Sequence, residues 1–291
     1  MLPYFNPEEW REKVALDEDD FSLIMGPRDA LAVLATRELM FAEHVPAHSA
    51  STDVFLFGLG EGPDRSGTKV GGLPFLQKRD PWPACQGGRP LPFLCQFNFT
   101  ESRDIVGELV SDDVLLLFGD APTEEYENPN VKFVWKSASK TRDLVEVADV
   151  PVQPSFDPFY GVRWRTKNYP CNDEYNSWST FKPAQIQLAT TLFATQISRF
   201  PFLFGRYGDP FDGRHLCCLT PINSTTPKEY PFVNRQEPIV PDWFQTHNSP
   251  YPSQSECGIR FPETWLLDSD SGTLYVYRTD HGDLAAEWIF G

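Results

Sequence analysis

The fold is decided by two related stretches of sequence, TKVGGLPFL at residues 68–76 and TQISRFPFL at residues 195–203. A second related pair follows them, GRPLPFLCQFN at residues 88–98 and GRHLCCLTPIN at residues 213–223. Within that second pair Gly, Arg, two Leu and Asn coincide at one constant offset. A repeat of this length is too long for a solenoid unit, so it indicates a duplicated half-domain.

Short apolar runs between turn signals predict β-strands in both halves. The run VLLLF at residues 114–118 predicts a buried strand, and the alternating VKFVWK at residues 131–136 predicts a half-buried one. The 27 prolines disfavour long helices and central strands, so long, well-packed loops are expected between the strands. Further strands are predicted at residues 54–57, 91–99, 160–166, 215–222, 238–245, 258–266, 273–278 and 285–290.

Helices are predicted mainly near the N-terminus. Asn6 is a suitable N-cap and Pro7 suits the first helical position, which predicts a helix to about residue 16. Apolar residues at helical spacing predict a second helix over residues 28–43, and a short third one is predicted at residues 185–193. We therefore predict an α+β fold of mainly antiparallel sheet, with two pseudo-symmetric halves from an internal duplication and a helical N-terminal region.

The repeat divides the chain into four parts within one compact domain. Residues 1–50 are expected to form a helical region packed on the body, and residues 51–150 are expected to form the first half. Residues 151–183 connect the halves, and residues 184–291 form the second, degenerate half. A chain of 291 residues can bury roughly 75% of its unfolded surface, so it needs no disulfide or metal to fold.

The chain is strongly acidic, with 25 basic and 41 acidic side chains and a formal net charge of −16. The acidity is concentrated in residues 1–60 and 101–150. A negative field repels nucleic acids and anionic membranes, and it attracts a basic partner. The acidity has a second interpretation, which is that it maintains solubility. We predict no nucleic-acid or membrane binding, and we expect a basic protein partner.

Cysteine usage and the start of the chain predict a cytoplasmic protein. The six cysteines contain no C-x-x-C pair, so no zinc ribbon or thioredoxin motif is present. The start of the sequence lacks the basic region and apolar core of a signal peptide. The longest strongly apolar run, at residues 114–118, is far too short to cross a membrane.

The sequence offers few candidates for a metal, cofactor or catalytic site. His44 and His48 have the spacing of a helical metal pair, but Pro46 lies between them and ends the helix. Gly71–Gly72 lacks the Lys-Ser/Thr ending of a phosphate-binding loop and is interpreted as a turn. Pairing of His215 with a neighbouring cysteine is possible in principle, but such cysteines on strands are expected to be small buried side chains. We predict no catalytic residue, no metal and no cofactor.

Acidic and aromatic side chains are the candidate partner-binding residues. One acidic run lies between the two predicted N-terminal helices, and a second acidic pair lies in the middle of the chain. Aromatic side chains with a nearby arginine often anchor protein interfaces. The predicted partner-binding residues are Asp17, Glu18, Asp19, Asp20, Trp82, Arg89, Glu124 and Glu125.

The K-x-G-G-x-P turn at residues 69–74, the Trp82–Pro83 loop and the segment LPFLCQF at residues 91–97 resemble the YwqG-like family of bacterial proteins. A terminal strand opening on GTLY at residues 272–275 also fits this pattern. The second copy departs from it, with Ser198–Arg199 in place of the two glycines. The resemblance implies an α+β protein without an established reaction. Some members of that family are encoded beside toxins, so the resemblance also implies a role as an immunity protein.

Two functions follow as expectations. The first is a non-catalytic protein-binding module, an immunity protein that neutralises a bacterial toxin by covering it with an acidic surface. The alternative is an enzyme or small-ligand-binding protein that uses a cleft between the two halves, lined by Gln96, Arg89 and a carboxylate.

Overall fold

A computed structural model describes residues 49–59, 61–62, 64–119, 131–152, 158–168, 194–199, 213–220 and 273–289. Within these residues the chain forms one ten-stranded sheet, and each neighbouring pair of strands is antiparallel. Their order across the sheet is β10-β9-β8-β7-β1-β6-β2-β3-β4-β5. The strands are β1 (Ala50–Leu59), β2 (Lys69–Val70), β3 (Phe93–Asn98), β4 (Val114–Gly119), β5 (Val131–Lys136), β6 (Phe159–Asn168), β7 (Gln196–Ile197), β8 (Gly213–Leu219), β9 (Thr273–Thr279) and β10 (Leu284–Ile289).

The two longest strands, β1 and β6, form the centre of the sheet. They pair over ten residues each, from Ala50 opposite Asn168 to Leu59 opposite Phe159. On its other side β1 pairs with β7, and β6 pairs with β2. The pairing therefore crosses the predicted boundaries, because β1 of the first predicted half is joined directly to β7 of the second.

The strand pairing does not agree with the alignment of residues 88–98 with residues 213–223 that the sequence suggested. The constant offset placed Leu91 with Leu216, yet Leu91 precedes β3 whereas Leu216 lies inside β8. In the sheet Cys95 lies opposite Val70, and Cys217 lies opposite Ile197. A register shift next to each cysteine, between Phe93 and Cys95 and between His215 and Cys217, accompanies this pairing. The register shifts lie at matching places in the two strands, so the pairing relates Cys95 to Cys217 rather than to Thr220, to which the constant offset leads.

The main hydrophobic core covers one face of the sheet. It contains inward-facing residues of nine strands, among them Phe55, Phe97, Leu117 and Val276, which are at most 2% exposed. Residues from β4 and β9 share this core although the strands lie far apart in the strand order. The sheet is therefore curved around its core.

A short helical segment lies on that same face. The helix α1 (Arg103–Val106) continues into a 3-10 turn at Gly107–Leu109, and both bury apolar side chains in the core. Three arginines bind backbone carbonyl groups in this segment or just before it: Arg165 of β6 binds Glu101, Arg199 after β7 binds Ile105 and Arg278 of β9 binds Leu109. The bonds to Ile105 and Leu109 satisfy carbonyls that a short helical segment leaves without partners.

A second core covers the opposite face of β3 and β4. Phe93, Leu116 and Phe118 pack there against Phe75 and Leu91 from the preceding loop. Because both faces of β4 are covered, all six of its residues are buried, as the apolar run at residues 114–118 predicted. The edge strand β5 is half-buried, as its alternation predicted.

The predicted α+β class is wrong for the described chain. Strands dominate it, and its one α-helix has four residues. The expected strands at residues 54–57, 114–118, 131–136, 160–166 and 273–278 are confirmed within longer or equal segments. The predicted helices at residues 6–16, 28–43 and 185–193, and with them the helical N-terminal region, lie outside the described residues. Within the part described, none of the helices has the length and apolar character required to span a bilayer.

Candidate functional site

An open cavity of about 520 Å³ lies beside the central strands, and we call it the central pocket. Its walls come from the loop at residues 64–68, the end of β3 and the turn after it, Ala138, β6 and β1. Pockets that bind small molecules commonly have volumes of about 300–1,000 Å³. The pocket is lined by Phe55, Asp64, Ser66, Gly67, Thr68, Asn98, Thr100, Glu101, Ala138, Tyr160, Gly161 and Arg163.

Glycines allow the loop to approach Tyr160 closely. A Cβ atom on Gly62 would lie 2.0 Å from Cε2 of the Tyr160 ring, and one on Gly67 would lie 2.4 Å from its hydroxyl oxygen. Neither distance is compatible with a side chain larger than hydrogen. Gly62 and Gly67 therefore both lie closely against one aromatic ring.

The loop is held in place by polar contacts. Asp64 accepts two hydrogen bonds through the same oxygen, one from the backbone N–H of Ser66 and one from its hydroxyl, both 2.8 Å long. The amide nitrogen of Asn98 donates to the Ser66 carbonyl, and the Thr68 hydroxyl accepts from the backbone of Asn98. These bonds join the loop to the end of β3.

Gln96 lies behind the loop and acts as its main support. Its side-chain nitrogen donates to the carbonyls of Arg65 and Gly67, and its oxygen accepts from the backbone N–H of Phe75. All three bonds go to backbone, so Gln96 fixes the shape of the loop rather than lining the pocket. The glutamine of the segment LPFLCQF at residues 91–97 thus has a structural, bracing role.

A second support consists of Lys69 and Glu61. The Lys69 ammonium group donates to one oxygen of Glu61 at 2.8 Å, and the other oxygen accepts from the backbone N–H of Leu73 at 2.7 Å. Gly71 and Gly72 both have positive φ, at 68° and 71°, which the turn to Leu73 requires. The K-x-G-G element is thus a structural turn, as its lack of a phosphate-loop ending predicted. Burial lowers the pKa of Lys69, partly offset by Glu61.

A network of ion pairs lies on the side of the pocket formed by Arg163 and Glu101. Arg163 binds the exposed Glu101 at 2.5 Å and the fully buried Asp53 at 3.4 Å. Arg165 binds Asp53 from the next position on the same face and also binds Asp104. Hydrogen bonding to Arg165 lowers the pKa of Asp104.

The pocket carries a negative electrostatic environment. Four carboxylates, Asp53, Asp64, Glu101 and Asp104, lie in or next to it, whereas two guanidinium groups, Arg163 and Arg165, pair with three of them. The guanidinium group of Arg65 is turned away, toward the carbonyls of Pro74 and Val145. Burial raises the pKa of Tyr160 to about 12, and the charges of Asp64 and Glu61 add to this rise.

The predicted partner-binding residues do not meet in this pocket. The Trp82 indole nitrogen donates to the Leu91 carbonyl at 2.8 Å, and its ring packs edge-on against Phe118, so Trp82 anchors the second core. Arg89 is exposed in the neighbouring turn. Neither lines the pocket. The predicted acidic residues, Asp17, Glu18, Asp19, Asp20, Glu124 and Glu125, lie outside the described part of the chain.

The cysteine and histidine candidates lie in the interior. Burial raises the pKa of Cys217 far above its ordinary range and that of Cys218 to about 12, which keeps both as thiols. Burial lowers the pKa of His215 to about 4, and its Nδ1 lies 2.6 Å from the Ser198 carbonyl oxygen. Such neutral, enclosed groups suit core packing. In the described ranges no cluster of three His, Cys, Asp or Glu side chains could hold a metal.

Sequence reasoning did not single out Asp64, Glu101 or Tyr160, which belong to the pocket. One signal was present: the D-x-S pattern at residues 64–66 is typical of a turn in which a carboxylate bonds to its own backbone. That turn lies next to β6 because of the strand pairing, which the sequence did not predict.

Residues 68–197 match the model of a protein family described as a domain of unknown function (DUF1963). The matched segment covers less than half of the chain and includes eight of the twelve residues that line the pocket, from Thr68 to Arg163. The same comparison does not extend to β8, β9 or β10. No curated protein matches the chain.

Proposed function

We propose that this chain is a binding protein whose partner presents basic groups, and that the central pocket is part of its binding surface. The observation that carries the proposal is an open, acceptor-rich cavity with an excess of carboxylates. The overall charge of −16 supports it, because a negative field accelerates encounter with a positively charged protein.

The finer proposal is an immunity protein that neutralises a toxin, in the manner that resemblance to the YwqG-like family implies. Binding of a basic toxin surface over the pocket would block that surface sterically, without a chemical reaction. A cytoplasmic location accords with free thiols at Cys85, Cys95, Cys217 and Cys218.

The ion pairs in and next to the helical segment indicate which carboxylates are available to contact the proposed basic partner. Glu101, Asp104 and Glu108 each contact an arginine of the sheet, so their charge is largely balanced within the molecule. Asp64 bonds to neutral groups of its own turn, so its negative charge remains available to a partner. We therefore place Asp64 at the centre of the proposed contact, with the acidic residues 17–20, 124 and 125 as further predicted contributors.

The test uses the purified full-length chain as bait in lysate of its native host, followed by kinetics on each captured protein. We expect a basic protein whose association rate rises as ionic strength falls, because exposed charges are screened over about 10 Å at 0.1 M salt. Asp64→Asn is expected to weaken capture. Asp280→Asn removes the same charge from the turn between β9 and β10 and serves as the matched control.

The proposal fails if capture returns no basic protein, or if Asp64→Asn and Asp280→Asn bind a captured protein equally well. A second candidate function, small-ligand binding, is favoured by the volume of the pocket, about 520 Å³. It predicts binding of a free small molecule in the absence of any protein partner.

A further inference from the structure

The polar groups of the central pocket are unequal in what they offer a ligand. Its principal hydrogen-bond donors already have acceptors within the protein. The Asn98 amide and the Ser66 hydroxyl donate to the loop, and Arg163 donates to two carboxylates. Its acceptors keep spare capacity, because a carboxylate can accept about four hydrogen bonds and Asp64 accepts through one oxygen in its turn. The lining therefore suits a ligand that donates.

Charge points to the same kind of ligand. An anion that approached Arg163 would compete with Glu101, which this guanidinium group already binds at 2.5 Å, and it would also come close to the carboxylate of Asp53. A cation can approach Asp64 and the outer oxygen of Glu101 without breaking either pair. Glu101 is 70% exposed, so this oxygen is within reach of solvent.

The walls of the pocket are partly apolar. Phe55, Ala138 and the ring of Tyr160 line it next to the hydroxyls of Ser66, Thr68 and Thr100. Aromatic rings attract cations, and apolar walls accommodate an alkyl stem. The combination fits a charged head carried on a hydrocarbon chain better than it fits a hydrated inorganic ion.

We infer that the central pocket binds an organic cation, the guanidinium or ammonium head of an alkyl chain, with Asp64 as its principal counter-charge. This inference rests on the proposed function, since it names the chemistry by which a basic partner is recognised. Two sources carry such a group, a lysine or arginine side chain of a protein and a free alkyl cation, and the pocket treats their heads alike.

The experiment is a titration of the full-length protein with N-acetylarginine amide, followed by NMR or calorimetry. N-acetylcitrulline amide is the matched ligand control, because it has nearly the same shape without the charge. We expect the arginine compound to bind at least about tenfold more tightly, in line with the loss of a charged hydrogen bond. Agmatine and a short peptide with a central arginine then distinguish a free cation from a side chain.

Variants locate the site. Asp64→Asn keeps both hydrogen bonds of the turn but removes the charge, and we expect affinity to fall about fivefold to tenfold. Thr100→Lys places an ammonium group in the pocket from an exposed position, so it should compete with the ligand and abolish binding. Asp280→Asn should leave the affinity unchanged. Thermal unfolding of each variant checks that the fold is intact.

Equal binding of the arginine and citrulline compounds would overturn the inference, and so would full affinity in folded Asp64→Asn and Thr100→Lys. If a basic protein is captured equally well by these variants and by the wild type, the inference about the pocket fails, although a basic partner exists as the proposed function requires. If the arginine compound binds through Asp64 but no basic protein is captured, the inference stands for a free cation and the proposed function fails.

Discussion

Lys69 and Glu61 form a salt bridge of 2.8 Å whose two ends have unequal access to water. The lysine side chain is 1% exposed, whereas the glutamate side chain is 32% exposed. A buried ammonium group without a counter-ion costs far more than a carboxylate that can reach solvent. The pair is therefore asymmetric, and the glutamate compensates the charge of the lysine more than the reverse.

That asymmetry predicts different costs for removing each partner. Glu61→Gln leaves the buried lysine unpaired, so we expect a loss of about 2–3 kcal/mol in the free energy of unfolding. Lys69→Met removes the buried charge and keeps the length of the side chain, so it should cost less. Urea unfolding of both variants and of the double variant measures the difference. A larger cost for Lys69→Met would contradict the asymmetry.

The contact between Gly62 and Tyr160 predicts a strong effect of one methyl group. Gly62→Ala would place a Cβ atom 2.0 Å from the ring, so the loop must move, and we expect a loss of more than about 2 kcal/mol. Gly87→Ala is the matched control, because its Cβ atom would lie 3.8 Å from its nearest neighbour, the Cys85 sulfur.

Thermal or urea unfolding of the two glycine variants tests this effect. Tyr160→Leu should relieve part of the cost in a Gly62→Ala background, because it removes the ring that the methyl group meets. Equal stability of the two alanine variants would show that the loop does not need its close approach to Tyr160.

His215 predicts a specific loss of stability in mild acid. Its folded-state pKa of about 4 lies below its ordinary value of 6.5, so the unfolded chain binds more protons between these pH values. Stability is therefore expected to fall as pH is lowered from about 6.5 toward 4, by up to about 3 kcal/mol from this group. His215→Gln can still donate to the Ser198 carbonyl and should reduce that slope.

The measurement is the free energy of unfolding of wild type and His215→Gln at several pH values between 4 and 7. Asp80, Asp104 and Asp113, whose pKa values are lowered by basic partners and hydrogen bonds, contribute at lower pH, because their stabilisation is lost below the ordinary carboxyl range. Parallel curves for the two proteins across the upper window would contradict the role of His215.

Burial predicts the order in which the described cysteines react. The pKa values of Cys95, Cys217 and Cys218 are raised by burial, and all three side chains are at most 1% exposed. Cys85 is partly exposed in the loop before β3. Alkylation of the folded protein, read by mass spectrometry of its peptides, should modify Cys85 well before these three. Rapid reaction of Cys217 would contradict its place in the core.

Local pattern predicted the strands well and the fold class poorly. The apolar run at residues 114–118 and the alternation at residues 131–136 each predict one strand. A strand buried on both faces is apolar throughout, and a strand buried on one face alternates between apolar and polar residues. The α+β class depended on helices predicted at residues outside the described chain. The short helix α1 was missed because four residues are too few to show a helical period.

The candidate site was predicted least well. Gln96 was named as a pocket residue and is instead its support, while Trp82 belongs to the second core. Asp64 and Arg163 are separated by nearly a hundred residues, and they share a pocket because β6 pairs with β1 and β2. Nothing in the local sequence around either residue encodes that pairing.

The sequence by itself determined that residues 114–118 and 131–136 are strands, that Gly71–Gly72 forms a turn and that the chain is acidic, since these depend on neighbouring residues and on composition. Tertiary structure alone decided that β1 and β6 meet at the centre, that Asp53 is buried between two arginines and that carboxylates gather around one cavity. The physical reason is that strand pairing brings together residues more than a hundred positions apart, and the charge of a site is a sum over those neighbours.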